Sequence, residues 1–173
     1  RFSGVDIVLG REMKSTGEVM GIDMTFGAAF AKSQACANQA LPQKGKVFLS
    51  VNDHDKRNIA FIAKKLFDMK FQLVATTGTA RTLKANGVKV DVVDKVGEGK
   101  SNLIDMIKRN EIHLIINTPS GQKSQTDMRT MRSTANLQGI PCITTLQGAW
   151  AAVNGIEAAR EQEFVIQSLQ GYY

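Results

Sequence analysis

Phe71-Gln-Leu-Val-Ala-Thr-Thr-Gly-Thr-Ala-Arg-Thr-Leu-Lys84 joins three different characters in one short run. Phe71 to Ala75 is apolar and β-prone, Thr76, Thr77, Gly78 and Thr79 form a hydroxyl-rich turn, and Ala80 onward favours helix. Strand, small-residue turn and helix in that order put backbone N–H groups and hydroxyls at the positive end of a helix. Such a place suits a phosphate or another small anion. The same residues also read as an ordinary turn in which Thr77 or Thr79 caps the helix. The rest of the chain has to choose between the two.

Working outward, the same alternation recurs on both sides of this stretch. Lys46 to Val51 reads as a first strand, with Asn52 or Asp53 capping a helix from Lys56 to Met69. That helix would turn Ile59, Ile62, Ala63, Leu66 and Phe67 inward. Phe71 to Thr76 is the second strand, and its helix stops at Asn86-Gly87, a pair suited to the left-handed conformation. Val88 to Val93 is the third strand, Gly97 to Ser101 a flexible loop and Leu103 to Arg109 a short helix. His113 to Asn117 is the fourth strand, followed by a polar loop from Thr118 to Gln125 and a helix from Asp127 to Gln138. Pro141 to Thr145 begins the fifth strand, and Gly148 to Arg160 is the last helix. Five short apolar strands separated by helices predict a five-stranded parallel sheet with helices on both faces, a doubly wound α/β fold.

Residues 1–43 have a different character. Val5 to Leu9 is a short apolar run, Glu12 to Gly21 mixes charge, glycine and hydroxyls, and Thr25 to Ala40 reads as a helix with Thr25 as N-cap. Its packed face is expected to carry Phe26, Ala29, Phe30 and Ser33. One strand and one helix cannot bury a core of their own. Leu41-Pro-Gln-Lys-Gly45 then reads as a linker. The predicted division is therefore a tail and linker at 1–43 and a domain at 44–173. Because the chain opens at Arg1 without an initiator Met, it reads as a piece of something longer.

Composition narrows the classes. A hydrophobic content of 43% supports a real core, while 6% aromatics leave it to Ile, Leu, Val, Met and Ala. The net charge of +6 fits a site for small phosphorylated ligands as well as nucleic acid. No long Lys/Arg run and no basic stretch interleaved with aromatics is present, which argues against nucleic acid. Cys36 and Cys142 lack the spacing of metal ligands, and reduced, partly buried thiols of a cytoplasmic protein are expected. No signal peptide and no membrane-length apolar run is read.

In doubly wound sheets ligands sit outside the carboxyl ends of the strands. That rule gathers Ser50 and Lys56 after strand one, Thr76, Thr77 and Thr79 after strand two, and Lys95 after strand three. It adds Asn117 and Thr118 after strand four and Thr144 and Thr145 after strand five. Two lysines facing threonine hydroxyls and a helix N-terminus make a dianion pocket. No strand tip offers a carboxylate, and the histidines, His54 and His113, read as a surface or rim residue and a structural one. There is no GxGxxG after the first strand and no Walker A motif, which argues against a dinucleotide module.

The run Glu12-Met-Lys-Ser-Thr-Gly-Glu-Val-Met-Gly-Ile-Asp23, with Phe26 and Ala29-Phe-Ala-Lys-Ser-Gln34, resembles the end of the second synthetase unit in the large chain of carbamoyl phosphate synthetase. The following domain resembles that family's C-terminal allosteric domain, which has the methylglyoxal-synthase-like fold. The resemblance covers essentially the whole chain. It implies binding of nucleoside monophosphates, UMP as inhibitor and IMP as activator, to control carbamoyl phosphate synthesis for the pyrimidine and arginine pathways. It further implies a full-length ATP-dependent ligase using Mg2+ or Mn2+ and K+, a small glutaminase subunit as partner, and oligomer contacts through the allosteric domain. No catalytic residue, no metal site and no cofactor are expected in this fragment itself.

Carried over by motif, the phosphate-binding lysines fall on Lys56 and Lys95, the Thr-x-Gly-Thr turn on Thr76 and Thr79, and the ribose-side asparagine on Asn117. The expected effector site is Ser50, Lys56, Thr76, Thr77, Gly78, Thr79, Lys95, Asn117, Thr118 and Ser120, with Thr144 and Thr145 on the ornithine side or the pocket rim. Two departures stand out. Where the family pattern reads Thr-Thr-Ser-Gly, this chain has Thr118-Pro119-Ser120-Gly121, and a hydroxyl is lost. The acidic residue linked to ornithine is Ile143 here, which weakens the ornithine implication more than the nucleotide one. The alternative activity, methylglyoxal synthase itself, needs a carboxylate base and in that family a histidine. Glu98 of the Gly97-Glu98-Gly99-Lys100 loop is offset from the family's acidic position, Asp127 reads as helix N-terminal charge, and no histidine follows strand four.

Overall fold

A computed structural model describes residues 19–93, 103–118, 122–161 and 168–172. Its elements run α1 (Phe26–Cys36), β1 (Lys46–Ser50), α2 (Lys56–Asp68), β2 (Gln72–Thr76), α3 (Thr77–Ala85), β3 (Asp91–Val93), α4 (Leu103–Lys108), β4 (Leu114–Asn117), α5 (Gln122–Leu137), β5 (Cys142–Ile143) and α6 (Leu146–Glu161). A 3-10 turn follows at Leu169–Tyr172.

The five strands form one sheet in the order β3-β2-β1-β4-β5, every pair parallel. Alternating side chains of β1 feed two separate cores. Val47 and Leu49 pack with Ile59, Ile62 and Leu66 of α2, Leu83 of α3 and Ala152, Val153 and Ile156 of α6. Phe48 points the other way, to Leu103 and Ile107 of α4 and Met128, Met131 and Ala135 of α5. The result is three layers, helix on sheet on helix, as the strand–helix alternation predicts. Phe48 is completely enclosed, and cutting it to alanine is expected to cost about 3–5 kcal/mol.

Several boundaries and faces differ from the sequence expectation. α3 starts at Thr77, so the hydroxyl-rich turn is the first turn of the helix itself. α5 starts at Gln122, inside the stretch read as a polar loop. Gln122 to Gln125 are polar but helix-compatible, and nothing after Pro119 and Gly121 breaks the helix. β3 is only three residues, although Val88 and Val90 are buried before it. Phe67 lies at the edge of α2's inner face and stays exposed, while Ala60 is buried in its place. Neither Asn52 nor Asp53 is the N-cap of α2; Asp55 is, and it makes no side-chain cap bond. Cys36 is exposed instead of partly buried, and neither Cys36 nor Cys142 is in a disulfide.

The largest revision concerns α1. Thr25 is its N-cap as expected, accepting from the Ala28 N–H at 3.3 Å. The buried face, however, is Gly27, Ala28 and Ala31, and Phe26 is 72% exposed. This helix packs on α6, where an added Cβ at Gly27 would sit 2.7 Å from the Asn154 carbonyl oxygen. Gly155 faces the Gly27 carbonyl and Ala31 in return. Two backbones this close leave room for small residues alone; Phe26 turns outward, while Phe30 stays half-buried against the core as expected. The predicted strand at Val5 to Leu9 and the Gly97 to Ser101 loop lie outside the described residues.

Candidate functional site

The sheet order puts β1 and β4 side by side, with Ser50 opposite Asn117 at their carboxyl ends. From β1 the chain leaves to α2 on one face, and from β4 to α5 on the other. Diverging connections open a crevice at that point, the switch point of a doubly wound sheet. A cleft of about 260 Å³ lies there, lined by Ser50, Val51, Asn52, Asp53, Lys56, Thr76, Gly78, Thr79, Asn117, Thr118 and Met128.

Among the described residues, the buried polar or charged side chains are Ser50, Thr76, Thr79, Asn117, Thr118 and Arg132. Five of these line the cleft, and Arg132 bonds to one of them. Burying a polar group is unfavourable unless it is hydrogen-bonded, and here each is engaged. Thr79 accepts from the Val51 N–H at 3.2 Å, and Thr118 accepts from the Asn52 N–H at 3.1 Å. The Thr76 hydroxyl reaches Ser50 at 3.3 Å and Thr79 at 3.4 Å. Asn117 donates through Nδ2 to the Ser50 carbonyl at 3.1 Å, which also accepts from the Thr118 N–H. These bonds tie the tips of β1, β2 and β4 into one rigid polar floor.

Two helix N-termini abut this floor. Neither α2 nor α3 has an acidic residue in its first turn, and the Thr76 side chain does not cap α3. Lys56 is the first residue of α2, where a cation opposes the helix dipole. Its Nζ would lie 3.2 Å from a Cβ added at Gly78, so the ammonium group sits over the first turn of α3. A position unfavourable for the helix is favourable for an anion held between the two N-termini.

No carboxylate stands at the tip of β1, but Asp53, three residues beyond Ser50, brings one to the cleft. It lines the cleft and pairs with Lys56 at 2.5 Å, because the turn from Asn52 to Asp55 folds back on itself. That turn is closed by the Asp55 N–H donating to Asn52 Oδ1 and by Asn52 Nδ2 donating to Asp55. The hydrogen bond from Lys56, and then its charge, hold the Asp53 carboxyl below the ordinary carboxylate range.

Of the residues expected from sequence, the structure brings Ser50, Lys56, Thr76, Gly78, Thr79, Asn117 and Thr118 together in the cleft. Thr77 is exposed and is not among the lining residues. Thr144 and Thr145 lie apart from the lining, and Thr145 accepts from the Gly148 N–H at the start of α6. Lys95 and Ser120 fall outside the described residues. Sequence reasoning missed Asn52, Asp53, Met128 and Arg132. For Arg132 a signal existed, since Met128, Met131, Arg132 and Ala135 follow the i, i+3, i+4, i+7 spacing of a buried stripe. Among the described residues no cluster of His, Cys, Asp and Glu could hold a metal ion, and no helix is long and apolar enough to cross a membrane.

A model of the MGS-like domain matches residues 58–144, half of the chain. The chain belongs to the MGS-like domain family. Over 98% of its length this MGS-like domain protein is 51% identical to the carbamoyl phosphate synthase large chain of Acidobacterium capsulatum. The large chain of Rhodopirellula baltica is 48% identical over the whole of it. In both cases the chain spans 16% of the relative. A methylglyoxal synthase structure from Elizabethkingia anophelis superposes with a TM-score of 0.53 at 18% identity, covering 76% of this chain and 91% of that one. That likeness shows the shared fold.

Proposed function

We propose that the chain is the regulatory domain of a carbamoyl phosphate synthase large chain and that its cleft binds the phosphate of a nucleoside monophosphate. The observation that supports this reading is the concentration of buried polar groups at the β1/β4 switch point, beside two helix N-termini and Lys56. In this reading Thr76, Thr79, Gly78 and Lys56 hold the phosphate, with Lys95 and Ser120 joining them. Asn117, Thr118 and Ser50 address the ribose side. UMP acts as inhibitor and IMP as activator by favouring different conformations of the same domain. ATP with Mg2+ or Mn2+, K+ and the glutaminase subunit belong to the remainder of the large chain.

Phosphate elimination of the methylglyoxal synthase type finds less support. Asp53 is the one carboxylate lining the cleft among the described residues, and its bond to Lys56 makes it a weaker base.

Calorimetric titration of UMP and IMP against wild type, Lys56→Ala and Lys95→Ala tests the proposal. Wild type is expected to bind both, and each alanine variant to bind less tightly. Absence of binding by the wild type, with dihydroxyacetone phosphate turned over to methylglyoxal, would replace this reading by the enzymatic one.

A further inference from the structure

Among the described residues Asn117 carries the one side-chain amide in the buried floor of the cleft, and its polarity depends on which end faces the ligand. An asparagine amide can in principle present either its oxygen or its nitrogen. Here both sides are dictated by neighbours that cannot change sign. On one side stands the Arg132 guanidinium, 1% exposed on α5, which donates from Nη1 to Asn117 Oδ1 at 3.1 Å. On the other stands the Ser50 carbonyl, which accepts from Asn117 Nδ2 at 3.1 Å. Guanidinium groups have no acceptor and carbonyls have no donor. Turning the amide over would set Nδ2 against Arg132 and Oδ1 against Ser50, leaving two buried mismatches.

We infer that Arg132 is a positioning residue that locks Asn117 as a hydrogen-bond donor toward the cleft. Of the two Nδ2 hydrogens one goes to Ser50, and the other is the group Asn117 has left to offer a ligand. The atom that meets it must be an acceptor: a phosphate oxygen, a sugar hydroxyl oxygen or a carbonyl. Arg132 thereby sets a selectivity rule from behind the cleft, without lining it. This rests on the proposed ligand class for its consequence, but the locked amide is a property of the free protein.

The test has a part without ligand and a part with it. In wild type without ligand, side-chain NMR is expected to show slow exchange of the Asn117 amide proton bonded to Ser50. In Arg132→Met the exchange becomes fast, and in Arg132→Lys, which restores a cationic donor, it stays closer to wild type. Calorimetry with UMP is expected to show about a tenfold weakening in Arg132→Met and a smaller one in Arg132→Lys. A Ser50-bonded Asn117 proton that exchanges in wild type like those of an exposed asparagine overturns the inference even if no variant folds. So does a folded Arg132→Met whose amide exchange is unchanged, whatever its affinity. Failure of wild type to bind UMP counts against the proposed function, and the amide exchange then decides the inference by itself.

Discussion

At two places in the sheet a Thr-Thr pair links a strand to a helix. β2 ends at Thr76 and α3 begins at once with Thr77 and Gly78, while β5 ends at Ile143 and passes through Thr144 and Thr145 into α6 at Leu146. In sequence they are near equivalents. In the folded chain Thr76 and Thr79 are buried in the cleft floor, whereas Thr145 is exposed and caps its own helix. Position in the sheet makes the difference: β2 adjoins β1 at the switch point, and β5 lies at the far edge. A hydroxyl-rich strand end thus becomes a candidate site where diverging connections expose it to a crevice, and a helix cap where they do not.

The sharpest way to break this comparison is to remove one hydroxyl from each side. Thr79→Val leaves the buried Val51 N–H without its acceptor, at an expected loss of about 1–3 kcal/mol in denaturant unfolding. The same variant should abolish measurable UMP binding. Thr145→Ala removes an exposed cap worth about 0.5–2 kcal/mol, and calorimetry should show UMP binding unchanged. Equal effects of the two on binding would erase the distinction.

Lys56→Ala is expected to weaken UMP binding by about tenfold to a hundredfold, the range for a charge-assisted hydrogen bond, with little effect on the melting temperature. The two glycines offer a finer contrast. Gly78→Ala brings a methyl group 3.2 Å from Lys56 Nζ, at the end of a flexible side chain, so it should lower affinity several-fold and leave stability alone. Gly148→Ala meets Ile143 and the capping Thr145 oxygen at 3.0 Å, so thermal melting should fall while affinity stays.

The smallest effect concerns Asp53. Its carboxyl is held below the ordinary value of 3.8 by Lys56, so the pair's contribution is complete above that pH and is lost as pH falls through the lowered value. Melting curves of wild type and Asp53→Asn should therefore differ slightly at neutral pH and converge in acid. At neutral pH Asp53→Asn should also bind UMP more tightly, since the competing carboxylate is gone.

Much of the architecture was legible because burial on both faces forces continuous apolar strands, as in Val47 to Leu49 and Leu114 to Ile116. The cleft floor was legible through a topological rule applied to strand ends. What escaped did so for physical reasons. Phe26 suggests a packed position by its size, but close approach of α1 to α6 selects Gly27 and Ala31. Asp53 sits past its strand tip and returns through a tight turn. Arg132, set among polar residues, reads as a solvated helix position until its place on the Met128, Met131 and Ala135 stripe is noticed.

The central claim is that the β1/β4 cleft, and not the β5 end, holds a phosphorylated ligand. Backbone amide chemical-shift mapping during titration with UMP tests it most directly. The expected result is saturable shifts at Val51, Asn52, Thr77, Gly78, Thr79 and Thr118, with Thr144 to Gly148 unmoved. Shifts confined to the start of α6, or none at saturating UMP, would contradict it.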